Sequence, residues 1–401
     1  MPSDTRTASD LSGLTILEIG AGAAAAFAGT MLADFGARVI ICEPPGGTPL
    51  RRLVAEPLRD VHWAVAARNK FSVALDPAHP DSGPALRGLA AMADAVLRDG
   101  PEALDVPWQQ AFAGRARAPL WIDLPPPGAD RPQDWGWGIA PEFGGVAAGI
   151  MALTGWPGGP PVMPEFPLAD RCAGLLAATC ALAELRAASL EDRAPTPLEI
   201  GTHEALLRMN EWHVPVASAG GAPELRNGNR FPMNSNIGNV FRTRDGKLLT
   251  VSAATPSVAD RLLAMIGGEA LRDDPRFATP AARMANMDAL DAIITGWMAR
   301  HDAAEVMRLV QEHDVVVGPI KNADDILANE HVAARGNVLR VATAAGAALP
   351  MPAALPRIDG VEGAVRRAGP PPGADTEAVL RAAGLAAEEI AALRRSRAVW
   401  A

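Results

Sequence analysis

The sequence predicts an α/β protein: a doubly wound parallel sheet with a second, smaller α+β domain. Three observations carry that reading. A strand, a small-residue turn, a helix and a second strand follow one another between Leu14 and Gly47. Strand and helix patterns keep alternating as far as Gly128. From Arg226 the pattern changes to a polar Gly/Asn loop, a hairpin and a run of helices.

Leu17 and Ile19 belong to the first strand and Val39 to Cys42 to the second, so the unit is βαβ with a right-handed crossover. Inside it, Gly20, Gly22 and Ala25 with Glu43 about twenty residues on approach the dinucleotide fingerprint. NAD or FAD binding is one reading. Close packing of helix on strand by small residues is the other, and the local residues leave both open. Phe71 to Asp76 alternates as a strand and is preceded by the cations Arg68 and Lys70. Ser82 to Leu104 gives a helix, a strand and a turn at Gly100-Pro101. Ala118 to Gly128 is another strand with a proline stop. Ligands of such a sheet bind at the carboxyl ends of its strands.

Asp134 to Gly155 is a glycine-broken run followed by a small-residue helix. Trp135 and Trp137 there are candidates for stacking on a flat ligand, and Glu142 for a second acid or a helix start. Gly155 to Gly174 is punctuated by Gly and Pro and runs into a long apolar helix, with Asp170 at the join. A carboxylate at that place faces outward-pointing N–H groups, which fix it and favour its charge without a metal. The alternative is a plain N-cap. The helix beyond carries Leu175, Leu176, Leu182 and Leu185 among alanines and is expected to be buried against the sheet. Pro195 to Gly201 is a further strand with a helix after it.

The smaller domain is expected over about 225 to 330, after a first part ending near 215. Its parts are the loop Arg226–Asn239, a hairpin Val240–Ala253 turning at Asp245-Gly246, three helices, and a strand Val315–Ile320. From Gly336 the chain has short strand signals and a last helix, Asp375 to Arg395.

Composition narrows the chemistry. The chain has 401 residues, 49% hydrophobic and 21% charged, so a large core is expected. A net charge of −9 without a basic block argues against nucleic acid as a partner. Three cysteines without CxxC spacing suit a reduced, cytoplasmic setting. No signal segment and no apolar run of membrane-spanning length is read. The seven histidines lack metal-ligand spacing, so no metal site is expected. No GxSxG elbow, P-loop or cysteine nucleophile signature occurs. A carboxylate is the nucleophile that remains.

The segments Ala33–Gly47, Ala67–Asp76, PLADRCAGLLAA around Asp170, Arg226–Lys247, Asp273–Asp291, Val315–Gly336 and Pro370–Leu385 occur in one order. Together they resemble the family III CoA-transferases, which include formyl-CoA transferase, carnitine CoA-transferase and α-methylacyl-CoA racemase. The resemblance covers nearly the whole chain. It implies a large Rossmann-like domain made from both chain ends (1–215 and 336–401), an inserted small domain, and two chains interlocked as a homodimer. It implies acyl-CoA as substrate at the first βα turn, a carboxylic acid as its partner, and no permanently bound cofactor. Asp170 matches the family's catalytic aspartate, which forms a mixed anhydride and then a thioester with CoA. CoA contacts are expected from Ala23, Ala24, Arg68, Lys70, Leu75, Arg98 and Glu142. The chain departs from the family where an Asn-aromatic pair gives way to Arg98-Asp99 and a CoA-binding arginine to Val106. No histidine lies between His79 and His203, which disfavours a racemase His/Asp relay. A racemase or isomerase using Asp170 with Glu142 is the alternative within the family.

Overall fold

The computed structural model describes residues 11–20, 22–99, 106–125, 143–220, 226–230, 237–358 and 363–400. The chain divides into two compact units. One comprises 1–150, 164–221 and 332–401; the other comprises 151–163 and 222–331. The stretch 151–163, placed in the large domain by its sequence, goes with the second unit.

The first unit opens with β1 (Thr15–Gly20), α1 (Ala23–Asp34) and β2 (Arg38–Glu43). Alanine has the best helix propensity, and AAAAFAGTMLAD forms α1 without a side-chain cap at Gly22. The chain continues through α2 (Arg59–Ala66), β3 (Phe71–Leu75), α3 (Gly83–Met92), β4 (Ala95–Asp99), α4 (Val106–Phe112) and β5 (Leu120–Asp123). Short helices α5 (Phe143–Ala147) and α6 (Ile150–Leu153) precede α7 (Leu168–Leu190). Then come β6 (Leu198–Glu199), α8 (Thr202–Met209) and α9 (His213–Ser218).

The second unit holds an antiparallel sheet of β7 (Ile237–Arg242), β8 (Leu248–Ala253) and β9 (Val317–Pro319). Its core is Phe241, Leu249 and Val251 packed on Leu262, Phe277, Ile294 and Trp297. The helices are α10 (Pro256–Arg272), α11 (Pro280–Ala285), α12 (Met287–Met298) and α13 (Ala303–Glu312). Gly268, at φ 68°, kinks α10. Two short helices, α14 (Ala323–Leu327) and α15 (Glu330–Ala334), follow.

The chain then returns to the first unit through the hairpin β10 (Val338–Ala342) and β11 (Ala348–Pro352). The single last helix expected from the sequence is two, α16 (Thr376–Ala382) and α17 (Ala387–Ser396), with Gly384 at φ 92° between them. β12 (Val399–Trp400) closes the sheet edge by antiparallel pairing to β3. Among the described residues the seven strands of this sheet run in the order β12-β3-β2-β1-β4-β5-β6, parallel throughout except β12. The order reverses between β1 and β4. Doubly wound sheets open their ligand crevice at such a point, at the carboxyl ends of the strands.

Helix α7 passes, by length and mean hydropathy, for a helix able to cross a membrane, which the sequence reading did not allow. Its alanines 173, 177 and 181 are buried with α1 in one core cluster. Gly174 makes this close approach possible, since a Cβ there would meet the Ala24 carbonyl oxygen at 2.6 Å. The expectation that the whole helix is buried needs correcting. Its small residues face the core, and Leu175, Leu182 and Leu190 are exposed.

Candidate active site

Asp170 is the third residue of α7, and Pro167 occupies the cap position. It is therefore not the N-cap that local sequence allows. Its residue is 4% exposed, and the first turn of α7 holds it within reach of the helix N–H dipoles. Gly144 of α5 packs directly on this turn: a Cβ on Gly144 would lie 2.6 Å from that of Ala169. The Gly144-Gly145 backbone thus lies beside the turn that carries Asp170. Arg171 follows and stacks over Phe27 of α1, 4.6 Å from the ring centroid. Burial holds its guanidinium below arginine's usual range, against the pull of Asp170.

Asp99 ends β4, in register with Gly20 at the end of β1. Its carboxylate lies over the start of α1 and accepts from the Ala25 amide at 3.1 Å. Gly22 is needed here, because a Cβ would fall 1.9 Å from the Asp99 Cγ. The first turn of α1 is where the fingerprint would seat a pyrophosphate. That place is filled by the protein's own acid. Glu43, the candidate ribose acid, is fully buried and paired to Arg51 at 2.6 Å. The sequence match to a dinucleotide site is therefore a packing device in this chain.

The expected CoA contacts fare differently from one another. Ala23 and Ala24 are buried at the start of α1, and the Ala24 and Ala25 amides act on Asp99. Lys70 is fully buried, with Nζ 2.6 Å from Glu18 and 2.7 Å from the Ala26 carbonyl. It is a core ion pair, not a cation held out for phosphate. Burial lowers its pKa, and Glu18 opposes that shift. Arg68 donates to Asp34 at 3.2 and 2.6 Å. Arg98 forms a fork to Asp123 and lies over Trp121. Leu75 is 1% exposed and pairs with Val399 in the sheet core. Lys70, Arg68 and Arg98 are each committed inside the fold, because the acids that meet them come from other strands and helices. Glu142, Trp135 and Trp137 lie outside the described residues, as do 231–236 of the expected Gly/Asn loop. Arg226 of that loop bonds the Ala152 and Gly159 carbonyls within the second unit.

Sequence reasoning missed Glu18 and Arg171, and met Asp99 only as a departure from a family pattern. Among the described residues, no cluster of three His, Cys, Asp or Glu is placed to hold a metal ion.

The fold and these residues describe an α/β protein whose switch point is lined by carboxylates rather than by a nucleotide cradle. A family model described as CoA-transferase family III matches residues 11–102 and 142–376, and the chain belongs to that family. It is a CoA-transferase. It is 30% identical to the succinyl-CoA–D-citramalate CoA-transferase of Chloroflexus aurantiacus over 99% of this chain and all of the relative. It is 27% identical to the succinate–glutarate CoA-transferase of Agrobacterium fabrum, over 81% of this chain and 84% of that protein. A CAIB/BAIF family protein from Brucella suis has the same fold, with TM-score 0.81 at 22% identity, covering 94% of this chain and 100% of that one.

Proposed function

We propose that the enzyme moves CoA from succinyl-CoA to a second small dicarboxylic acid through covalent intermediates on Asp170. The observation that carries this is a buried aspartate, fixed on the first turn of a core helix at the switch point, in a CoA-transferase chain. The names of the relatives, with succinyl donors or succinate and small dicarboxylates, support the substrate class.

An Asp170 oxygen attacks the thioester carbonyl carbon. The C–S bond breaks, and a mixed anhydride and CoA thiolate result. The thiolate attacks the Asp170 carbonyl, releasing the donor acid as its carboxylate and leaving an aspartyl thioester. The acceptor carboxylate then attacks that carbonyl and expels the thiolate. The thiolate takes the acceptor acyl group, and Asp170 returns as a carboxylate. Acyl activation survives each step only if water stays out. Burial of Asp170 serves that need, and the Gly144-Gly145 amides are the candidate oxyanion donors. The enzyme works as a homodimer in this proposal. The leucines exposed along α7 support a partner chain on that face.

Incubation with succinyl-CoA and hydroxylamine, followed by peptide mass spectrometry, tests the chemistry. A hydroxamate on Asp170, absent without succinyl-CoA, is the expected result. Full transfer activity in Asp170→Ala would overturn it. A panel of acceptor acids tests the substrate class, and light scattering the dimer.

A further inference from the structure

We propose that Asp99 is a positioning residue of this site: its carboxyl holds a proton during transfer, so that Asp170 is the one reacting anion there. The inference rests on the reading of Asp170 as nucleophile.

The geometry is a count of buried charges on one face of the sheet. Glu18 and Asp99 lie on neighbouring strands, β1 and β4, and the register pairs Glu18 with Leu97 and Gly20 with Asp99. Alternation puts both acids on the side covered by α1 and α7. All three acids, Glu18, Asp99 and Asp170, are 5% exposed or less. Glu18 is answered by Lys70. Asp170 has the adjacent Arg171 as its electrostatic partner. The other groups around them are already committed: Arg68 to Asp34, and Arg98 to Asp123 on β5. His62 feels burial and Arg171, and both disfavour its charge. The first turn of α1 carries no acid, and its amides are what Asp99 meets. Among the described residues, then, three buried acids face one buried cation, Lys70, and the half-buried Arg171. Neighbouring buried carboxylates do not both ionise cheaply, so one keeps its proton. Among the described residues, Asp99 is the acid matched by amides alone. Burial, and after it the charges of Asp170 and Glu18, push its carboxyl up to about 7, although the α1 amides pull the other way.

The consequence is a dependence on pH that falls on the acceptor. The acceptor is an anion, and it must approach a site that is neutral at Asp170 once the thioester has formed. When Asp99 loses its proton, a buried negative charge stands beside the path of a second one. Attack on the aspartyl thioester then weakens.

The test is the pH profile of kcat/KM for the acceptor acid, run at pH values from 5.5 to 9 on the enzyme and on Asp99→Asn. The wild-type value is expected to fall about tenfold per pH unit above the transition. Asparagine keeps the oxygen that accepts from Ala25 and cannot ionise, so the fall near neutral pH should vanish in the variant. A variant with the same inflection would overturn the proposal. An infrared pH titration of the wild-type enzyme keeps the test open should the variant fold poorly. A protonated-carboxyl C=O band lost near neutral pH is expected, and its absence at pH 6 overturns the proposal. An active Asp170→Asn enzyme would instead remove the nucleophile itself. An inactive Asp170→Asn beside an unchanged Asp99→Asn profile would defeat only the present inference.

Discussion

Replacing Lys70 separates a binding role from a structural one. The Nζ has two acceptors, Glu18 at 2.6 Å and the Ala26 carbonyl at 2.7 Å, and the lysine side chain is inaccessible to solvent. Lys70→Met keeps the length and most of the volume of the stem. It leaves the Glu18 carboxylate buried without its cation. Breaking one half of a buried pair costs about 3–5 kcal/mol, whereas removing both charges together is close to neutral. The Ala26 carbonyl is not orphaned, because the Thr30 hydroxyl also donates to it at 2.8 Å. Most of the penalty is therefore the stranded acid. Urea unfolding followed by circular dichroism should show that loss in Lys70→Met, and recovery of more than half of it in Lys70→Met/Glu18→Gln. Calorimetry on the folded double variant should give wild-type affinity for CoA. A single variant that loses less than about 1 kcal/mol while CoA affinity drops tenfold would refute the buried-pair account.

Two shorter predictions concern the same sheet, one on each of its faces. Gly22 has φ −86° and ψ 156°, which alanine adopts freely, so the cost of Gly22→Ala lies in the 1.9 Å approach to Asp99. Overpacking of this kind costs about 1–3 kcal/mol. Adding Asp99→Ala should relieve at least half of it in urea unfolding, and equal effects in both backgrounds would show that Asp99 is not the obstacle. Burial, then Glu18 and Glu43, raise the Cys42 thiol well above the usual thiol range. Iodoacetamide at pH 8 should leave Cys42 unlabelled in the native protein and label it in urea, as read by peptide mass spectrometry; labelling of the native protein at Cys42 would contradict its burial.

The protonation of Asp99 also bears on stability. Its folded-state pKa lies above the ordinary carboxylate value of 3.8, at about 7. The native state therefore binds more protons than the unfolded chain between those two values, and this group makes stability fall as pH rises through that window. Above it the full penalty is present, at most about 4 kcal/mol for a shift of this size. Asp99→Asn should lift it. The variant's stability relative to wild type should thus grow between pH 5 and 8, and a constant difference would show that Asp99 is already ionised at pH 5.

The layers of the fold are legible in the sequence because burial imposes a period. Leu17 and Ile19, or Val39 to Cys42, need only local alternation and small residues between them to declare a βαβ unit. Glycine misleads where a helical pattern runs through it. Alanine-rich sequence surrounds Gly384, yet φ 92° there ends one helix and frees the chain for the next. Charges mislead for a different reason. Lys70, Arg68 and Arg98 sit just before or at the ends of strands, where a ligand cation would be placed. Their partners Glu18, Asp34 and Asp123 lie 52, 34 and 25 residues away. No spacing rule connects such pairs. The sheet order brings Glu18 and Asp99 onto one face beneath α1, and the packing of α7 on α1 adds Asp170. Asp170 itself is legible because its position depends on one helix start and the segment around it. Asp99 is not, because its role depends on Gly20 standing opposite it across two strands and Gly22 making room two residues later. The small residues of the first βα turn are what both readings share. In a nucleotide enzyme they admit a phosphate to the helix end, and here they admit a side chain. Only the identity of the residue at the end of the next strand but two decides between them.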